Sequence, residues 1–361
     1  MNTSVISDRR ITLAVELMTQ FAERTGLEPD GPQRRYLWTD AFAVTNFLGL
    51  ARVTGEHRYV ELALRLIDRV HRTLGRHRPD STTRGWISGL SEAEGARHPT
   101  QGGLRIGKPL DERAAAAPLD QRLEWDRDGQ YFHYLTKWMH ALDQTTRHTG
   151  DLTFNRWARE LAVAAHRAFV YAPPGSSRKR MFWKMSIDLS RPLVPSMGQH
   201  DPLDGFVTYL QLEATPNPAG PSLEVAITEF AALLDPTGLA TDDPLGIGGL
   251  LVDVSRLEQL RQSSSWSGLD QLVEAVRNAA LLGLREFRSH PDLDAPADRR
   301  LAFRELGLAI GLAAVPLASF LPLRDKIESF WIDPQQRRTT AWEAHADIND
   351  VMLATALAPE G

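Results

Sequence analysis

Apolar residues return at intervals of three and four along nearly the whole chain, as in Leu13, Leu17, Met18 and Phe21 near its start. That period belongs to helices lying on a core. Segments with this pattern occupy 9–25, 40–53, 56–76, 129–147, 151–171, 204–214, 222–234, 244–262, 268–289, 298–314, 321–331 and 339–357, with Gly or Pro punctuation between them. They number twelve, or six pairs. Thr54-Gly55-Glu56, followed by Tyr59, Ala63 and His71, recurs at a constant offset as Thr149-Gly150-Asp151, followed by Phe154, Ala158 and His166. In each copy a helix is expected to stop at the glycine and an acidic residue to open the next one. The turn is read as a repeated structural unit, with His71 and His166 structural members of it.

With 361 residues, 42% of them hydrophobic, the chain can bury a large core, and length alone permits one to three domains. The Pro- and Gly-rich stretch 214–222 resembles a linker, but six hairpins need both of its sides, so a single domain over 1–361 is expected. The 41 basic and 46 acidic residues are mixed along the chain, with a net charge of −5 and no broad electropositive footprint. Nucleic acid is therefore not an expected partner. The absence of cysteine excludes disulfides, thiolate chemistry and Cys-ligated zinc. The charged start MNTSVISDRRITLAVELM lacks a secretory apolar region, and no apolar run approaches the roughly 20 residues of a membrane span. A cytoplasmic protein without a membrane partner is expected.

The links 26–39, 77–128 and 172–203, each leading from an odd helix into an even one, are long, and most others are short. In a ring of hairpins the long links emerge at one end. Polar and aromatic residues collect there: Tyr36-Leu37-Trp38-Thr39-Asp40, Leu123-Glu124-Trp125-Asp126-Arg127-Asp128-Gly129, Met197-Gly198-Gln199-His200-Asp201-Pro202-Leu203-Asp204-Gly205 and Ala341-Trp342-Glu343-Ala344-His345. Long loops on a rigid scaffold usually carry function. The segment 180–195, with Met181-Phe182-Trp183-Lys184-Met185, is read as a short β-hairpin over that face.

In helix count and in its Thr-Gly-acid turns the chain resembles the six-hairpin (α/α)6 toroids. That superfamily includes many glycoside hydrolases, unsaturated-glycan hydrolases and N-acylglucosamine 2-epimerase-like sugar isomerases. The resemblance implies an all-α (α/α)6 toroid of twelve helices with long active-face loops and a small-molecule or oligosaccharide substrate; cysteine-free, the chain lacks the zinc site of the lanthionine-cyclase toroids.

Glycoside hydrolysis needs two carboxyl groups, one protonated and one ionised. The expected catalytic set is Asp126 with either Asp204 or Glu343, because Arg127 can hold one carboxylate ionised while Trp125 desolvates another. Asp40, Asp128, Asp201, Arg127, His200 and His345 are candidate hydrogen-bonding partners of a substrate around the same rim. Asp40, Asp128, Asp204 and Glu343 also fit the plain role of helix capping or dipole compensation. Sugars present apolar faces, so Trp38, Trp86, Trp125, Trp342 and Tyr131 are candidate platforms, with loop anchoring as the other reading of the tryptophans. Lys184 is assigned to the same face. The Gly-rich run through Gly102-Gly103-Leu104-Arg105-Ile106-Gly107-Lys108 carries Arg105 and Lys108 as candidate anion ligands, though it lacks the P-loop pattern, and an ordered lid is its other reading.

His133, His200 and His345 supply the second chemistry, acid–base proton transfer beside a sugar carbonyl, as an isomerase or epimerase requires; His133 also fits simple packing on its helix. Glu343, His345, Asp347 and Asp350 lack the spacing of a helical zinc motif, so no metal and no cofactor is expected. Thr241-Asp242-Asp243-Pro244 is no Asp-Asp-x-x-Asp run, which argues against diphosphate-ionising chemistry. A non-catalytic binding ring is the remaining alternative to the glycosidase.

Overall fold

The computed structural model describes residues 3–262, 266–287 and 291–358. Fifteen α-helices are found among them: α1 Thr3–Arg24, α2 Leu37–Thr54, α3 Arg58–Leu74, α4 Glu92–Arg97, α5 Gln121–Asp126, α6 Phe132–Thr149, α7 Leu152–Phe169, α8 Asp201–Ala214, α9 Glu224–Leu233, α10 Pro244–Leu260, α11 Leu269–Phe287, α12 Ala302–Ala314, α13 Leu321–Ile332, α14 Thr340–Glu343 and α15 Ala346–Leu357. Five short strands accompany them: β1 Gln130–Tyr131, β2 Val170–Tyr171, β3 Arg180–Met181, β4 Lys184–Met185 and β5 Pro192–Val194.

Every apolar-periodic segment contains a helix, with three corrections at the boundaries. The segment 339–357 is broken at Ala344-His345: Thr339 caps α14 by accepting from the Trp342 N–H, and Asn349 Nδ2 donates to the Trp342 carbonyl at 3.1 Å. The segment opening at 129 starts as a strand, because Gln130 and Tyr131 pair with Met185 and Lys184. The link 77–128 contains the short helices α4 and α5, capped by Ser91 and Asp120. The expected hairpin is present as antiparallel β4–β5, and β1 extends it to three strands in the order β1-β4-β5; β2 and β3 form a separate pair.

The repeated turn has the same geometry in both copies. Thr54 Oγ1 donates to the Leu50 carbonyl at 2.7 Å and accepts from the Glu56 N–H, while Gly55 sits at φ 73°. Thr149 Oγ1 donates to the Thr145 carbonyl at 2.8 Å and accepts from the Asp151 N–H, with Gly150 at φ 78°. The left-handed glycine ends one helix, and Asp151 then caps α7 through the Thr153 N–H.

The chain divides into two compact units, Met1–Pro32 with Thr45–Leu62 and Asp235–Gly361, and Gln33–Val44 with Ala63–Leu234. In the first, α10, α12 and α15 form a row, α11 and α13 pack on α10 and α12, and α1 lies along α15. In the second, α6 packs on both α7 and α8, and α8 on α9. Helix α8 is buried at every position from Asp201 to Leu212, as expected of a helix covered on all sides. Its polar residues are therefore held away from bulk water.

The α10–α12 crossing depends on missing side chains. A Cβ on Gly248 would stand 2.1 Å from the Gly307 carbonyl oxygen, and one on Gly311 would stand 2.5 Å from that of Gly248. Backbone cannot yield as a flexible side chain can. Gly248→Ala is expected to destabilise the protein by about 1–3 kcal/mol, the usual cost of overpacking. Urea denaturation with an unchanged midpoint would contradict this crossing.

Candidate active site

The link 77–128 closes on Asp128, which is fully buried. One of its oxygens accepts from Arg105 at 2.8 Å and faces Arg78 at 3.4 Å; the other takes the N–H groups of Gly107 and Gly129. Arg105 also donates to the carbonyls of Thr73 and Arg76, at the C-terminal end of α3. The Gly-rich run is accordingly a threaded spacer: Gly103 lies against the Gln130 side chain and Gly107 against the Arg35 carbonyl, both at positive φ. Arg105 and Asp128, both candidate ligand contacts, are consumed by this framework. Lys108 is half-buried, its ammonium 5.3 Å from the centre of the Tyr36 ring.

Lys184, also fully buried, donates to Glu124 Oε1 at 2.9 Å and to the carbonyls of Glu124 and Arg127. It ties α5 to the three-stranded sheet and is a framework residue too. Arg127 donates to the carbonyls of Asp111 and Glu112. Asp40 accepts from the Tyr36 N–H and from Arg35, as a residue fixing the start of α2. Trp38 packs at a tilt against Phe42, and Trp86 lies under the Arg76 guanidinium and against Gly95; both are buried anchors rather than open platforms.

The framework presents α6 and α8 side by side. On α6, His133, Lys137 and His140 fall at helical spacing on one face; on α8, Asp201, Asp204, Thr208 and Gln211 do the same. The two polar stripes meet. His140 lies 3.0 Å from Gln211, Lys137 Nζ lies 2.9 Å from Asp204 Oδ1, and His133 Nδ1 lies 3.8 Å from Asp201 Oδ1. Asp201 also accepts from the Gly198 N–H at 3.2 Å, which folds the end of the 172–203 link over the start of α8.

Aromatic rings line the entrance to this stripe. The His133 ring is stacked on Tyr131 and nearly parallel to Trp183, with 28% of its side chain exposed. Trp183 in turn meets Trp125, which is 52% exposed, and Tyr134 shares a 2.7 Å hydroxyl–hydroxyl hydrogen bond with Tyr36. Burial, reinforced by the charge of Asp204, raises the Asp201 carboxyl to about 7. Burial lowers the His133 imidazole to about 4. Between those values a carboxylic acid faces a neutral imidazole, an acid and a base side by side.

The structure thus brings together Trp125, Tyr131, Asp201 and Asp204 of the sequence candidates, with His200 half-exposed immediately before Asp201 at the start of α8. Asp126 ends α5 with its side chain exposed. In the other unit, Glu343 and His345 are exposed, whereas Trp342 is buried against Trp331, so it too packs rather than presents a face. Lys137, Tyr134 and Trp183 were missed as site residues. Their signal was polar residues three and four apart within otherwise apolar helices, together with the aromatic residue before Lys184. Among the described residues no three His, Cys, Asp or Glu side chains converge as a metal site, and no helix is long and apolar enough to cross a membrane.

Solved structures match the fold of the chain over almost its whole length. A GH76 α-mannanase from Bacteroides thetaiotaomicron superposes with a TM-score of 0.58 at 8% identity, covering 97% of this chain and 96% of that one. A cellobiose 2-epimerase from Spirochaeta thermophila DSM 6192 gives 0.54 at 13%, covering 99% and 98%, and a D-mannose isomerase gives 0.52 at 12%, covering 92% and 86%. The chain therefore has the (α/α)6 toroid fold. No family model matches it, and no curated protein matches it in sequence.

The Asp201–His133 pair makes a pH-dependent contribution to stability that its members hide from each other. Asp201 is protonated in the folded protein up to about pH 7 but ionises near 3.8 when unfolded, so its contribution is full below about pH 4 and lost as pH rises to about 7. His133 stays neutral when folded down to about pH 4 but protonates near 6.5 when unfolded, so its contribution is lost as pH falls through that range. Relative to wild type, Asp201→Asn should lose stability as pH drops from 7 to 4, and His133→Asn should gain it from 6.5 to 4. Chemical denaturation at pH 4.5 and 7.5 checks both signs; parallel curves for all three proteins would refute the pairing.

Proposed function

We propose that this protein is a carbohydrate-active enzyme, and specifically a glycoside hydrolase in which Asp201 is the general acid and Asp204 the ionised carboxylate. The observation that carries this reading is the divergence of environment between two carboxyl groups one helical turn apart. Asp201 is desolvated and keeps its proton to about pH 7, while Asp204 lies 2.9 Å from the Lys137 ammonium. A glycosidase needs such a division: one group to protonate the leaving oxygen, one to activate water or stabilise the oxocarbenium-like transition state. Trp125, Trp183 and the His133 ring provide the apolar surface on which a pyranose face can lie. The GH76 α-mannanase and the sugar epimerase and isomerase with the same fold support sugar chemistry by analogy of fold. Asp126 and Glu343 become secondary candidates, because exposed carboxylates of this kind are solvated by water rather than set apart by a buried neighbour.

A second reading follows from His133. An imidazole held neutral, 3.8 Å from a protonated carboxyl, suits proton abstraction beside a carbonyl, the step of an aldose–ketose isomerase or epimerase. The two readings separate by product. Hydrolysis of a glycoside releases a reducing end, whereas isomerisation exchanges a carbon-bound hydrogen with deuterated solvent.

On a glycan substrate, Asp201→Asn and Asp204→Asn are each expected to lower kcat by roughly 10²–10⁴-fold with intact folding. His133→Asn should lower it far less. Wild-type turnover in both aspartate variants would remove the assignment, and hydrogen exchange abolished by His133→Asn would transfer it to the isomerase.

A further inference from the structure

Outside the polar stripe, the loop 172–203 and the end of α9 border an open concavity of about 300 Å³ lined by Arg178, Lys179, Arg180, Met181, Met197 and Leu233, among others. That volume lies at the lower end of the range for small-molecule sites. No acidic residue is part of its lining. Of the three consecutive cations, Lys179 is neutralised by Glu229, which also faces His166 at 2.9 Å. Arg178 and Arg180, both solvent-exposed, make no side-chain hydrogen bond or ion pair among the described residues, so two guanidinium groups without a protein counter-charge border one concavity. Adjacent like charges repel, and a protein surface ordinarily disperses them. Guanidinium groups are also the donors that match a carboxylate or phosphate in a two-point contact. Beside them, Met181, Met197 and Leu233 offer an apolar wall that a bare inorganic ion would leave uncovered. The segments that form the cavity run directly into the candidate site: Arg180 precedes Trp183 by three residues, and Met197 precedes Asp201 by four.

We propose that this cavity is a binding site for a small organic anion, a sugar acid or a sugar phosphate, whose carboxylate or phosphate is held by Arg178 and Arg180 and whose body covers the methionine wall. The sugar body rests on the carbohydrate reading above; the anion does not. Isothermal titration of the full chain at low ionic strength with glucuronate, glucose 6-phosphate, inorganic phosphate and glucose tests it. Glucuronate or glucose 6-phosphate, whichever matches the pocket, should bind, weaken with added salt, and lose at least ten-fold in affinity in the Arg178→Ala/Arg180→Ala double variant. Glucose binding should be unchanged by that substitution. No binding by either organic anion, or equal binding in the double variant, overturns the proposal, and inorganic phosphate binding as tightly as both overturns the role of the apolar wall. Asp201 is outside the lining, so Asp201→Asn should bind the anion as wild type does. Loss of turnover in Asp201→Asn alongside absent anion binding would refute this site alone, while retained turnover with normal anion binding would refute only the hydrolase.

Discussion

Asp128 accepts from two arginines and two backbone N–H groups while fully buried, and the entrance to the candidate site is assembled around that carboxylate. A buried charge is tolerated only when its partners replace the lost water, and breaking such a cluster leaves the remaining charges uncompensated. Here the partners come from three places in the sequence: Arg78 from the start of the long link, Arg105 and Gly107 from its Gly-rich run, and Gly129 from the residue just before β1. By satisfying all of them, Asp128 fixes where β1 begins. The pairing of Tyr131 with Lys184 then sets the register of the three-stranded sheet, and the first turn of α6 follows with His133 aimed at α8.

A second consequence follows from the burial of α8. Its apolar residues pack against α6 and α9, but its first turn carries two aspartates that are also withdrawn from solvent. Lys137 lies 2.9 Å from Asp204, whereas Asp201 lies 3.8 Å from His133 and accepts from the Gly198 N–H. Two carboxyl groups of identical chemistry thereby acquire different surroundings. The helix N-terminus favours negative charge at both positions, so it is desolvation and the adjacent charge that separate them.

Several residues with the composition of a binding face serve as framework instead. Trp38, Trp86 and Trp342 are buried, Arg105 caps a helix end, and Lys184 joins α5 to the sheet. Long loops of this size need internal anchors, and indoles, guanidinium groups and buried ammonium groups are suited to anchor them. Loop position and residue type were therefore poor guides to exposure. The exposed aromatic surface instead falls to Trp125 and the partly exposed Trp183.

The sequence by itself determined the helical architecture, because the three-and-four apolar period and the Thr-Gly-acid turns are local: a left-handed glycine and a capping acid end and begin a helix whatever lies elsewhere. It also displayed Asp201, Asp204, Trp125 and Tyr131 as candidates. Only the tertiary structure decided which of the many polar loop residues are partners of one another, because ion pairing, desolvation and ring stacking depend on distances between residues far apart in the chain. Asp128 and Asp201 read alike as carboxylates near the start of a helix; two buried arginines made one a structural anchor, and burial beside the charge of Asp204 left the other an acid.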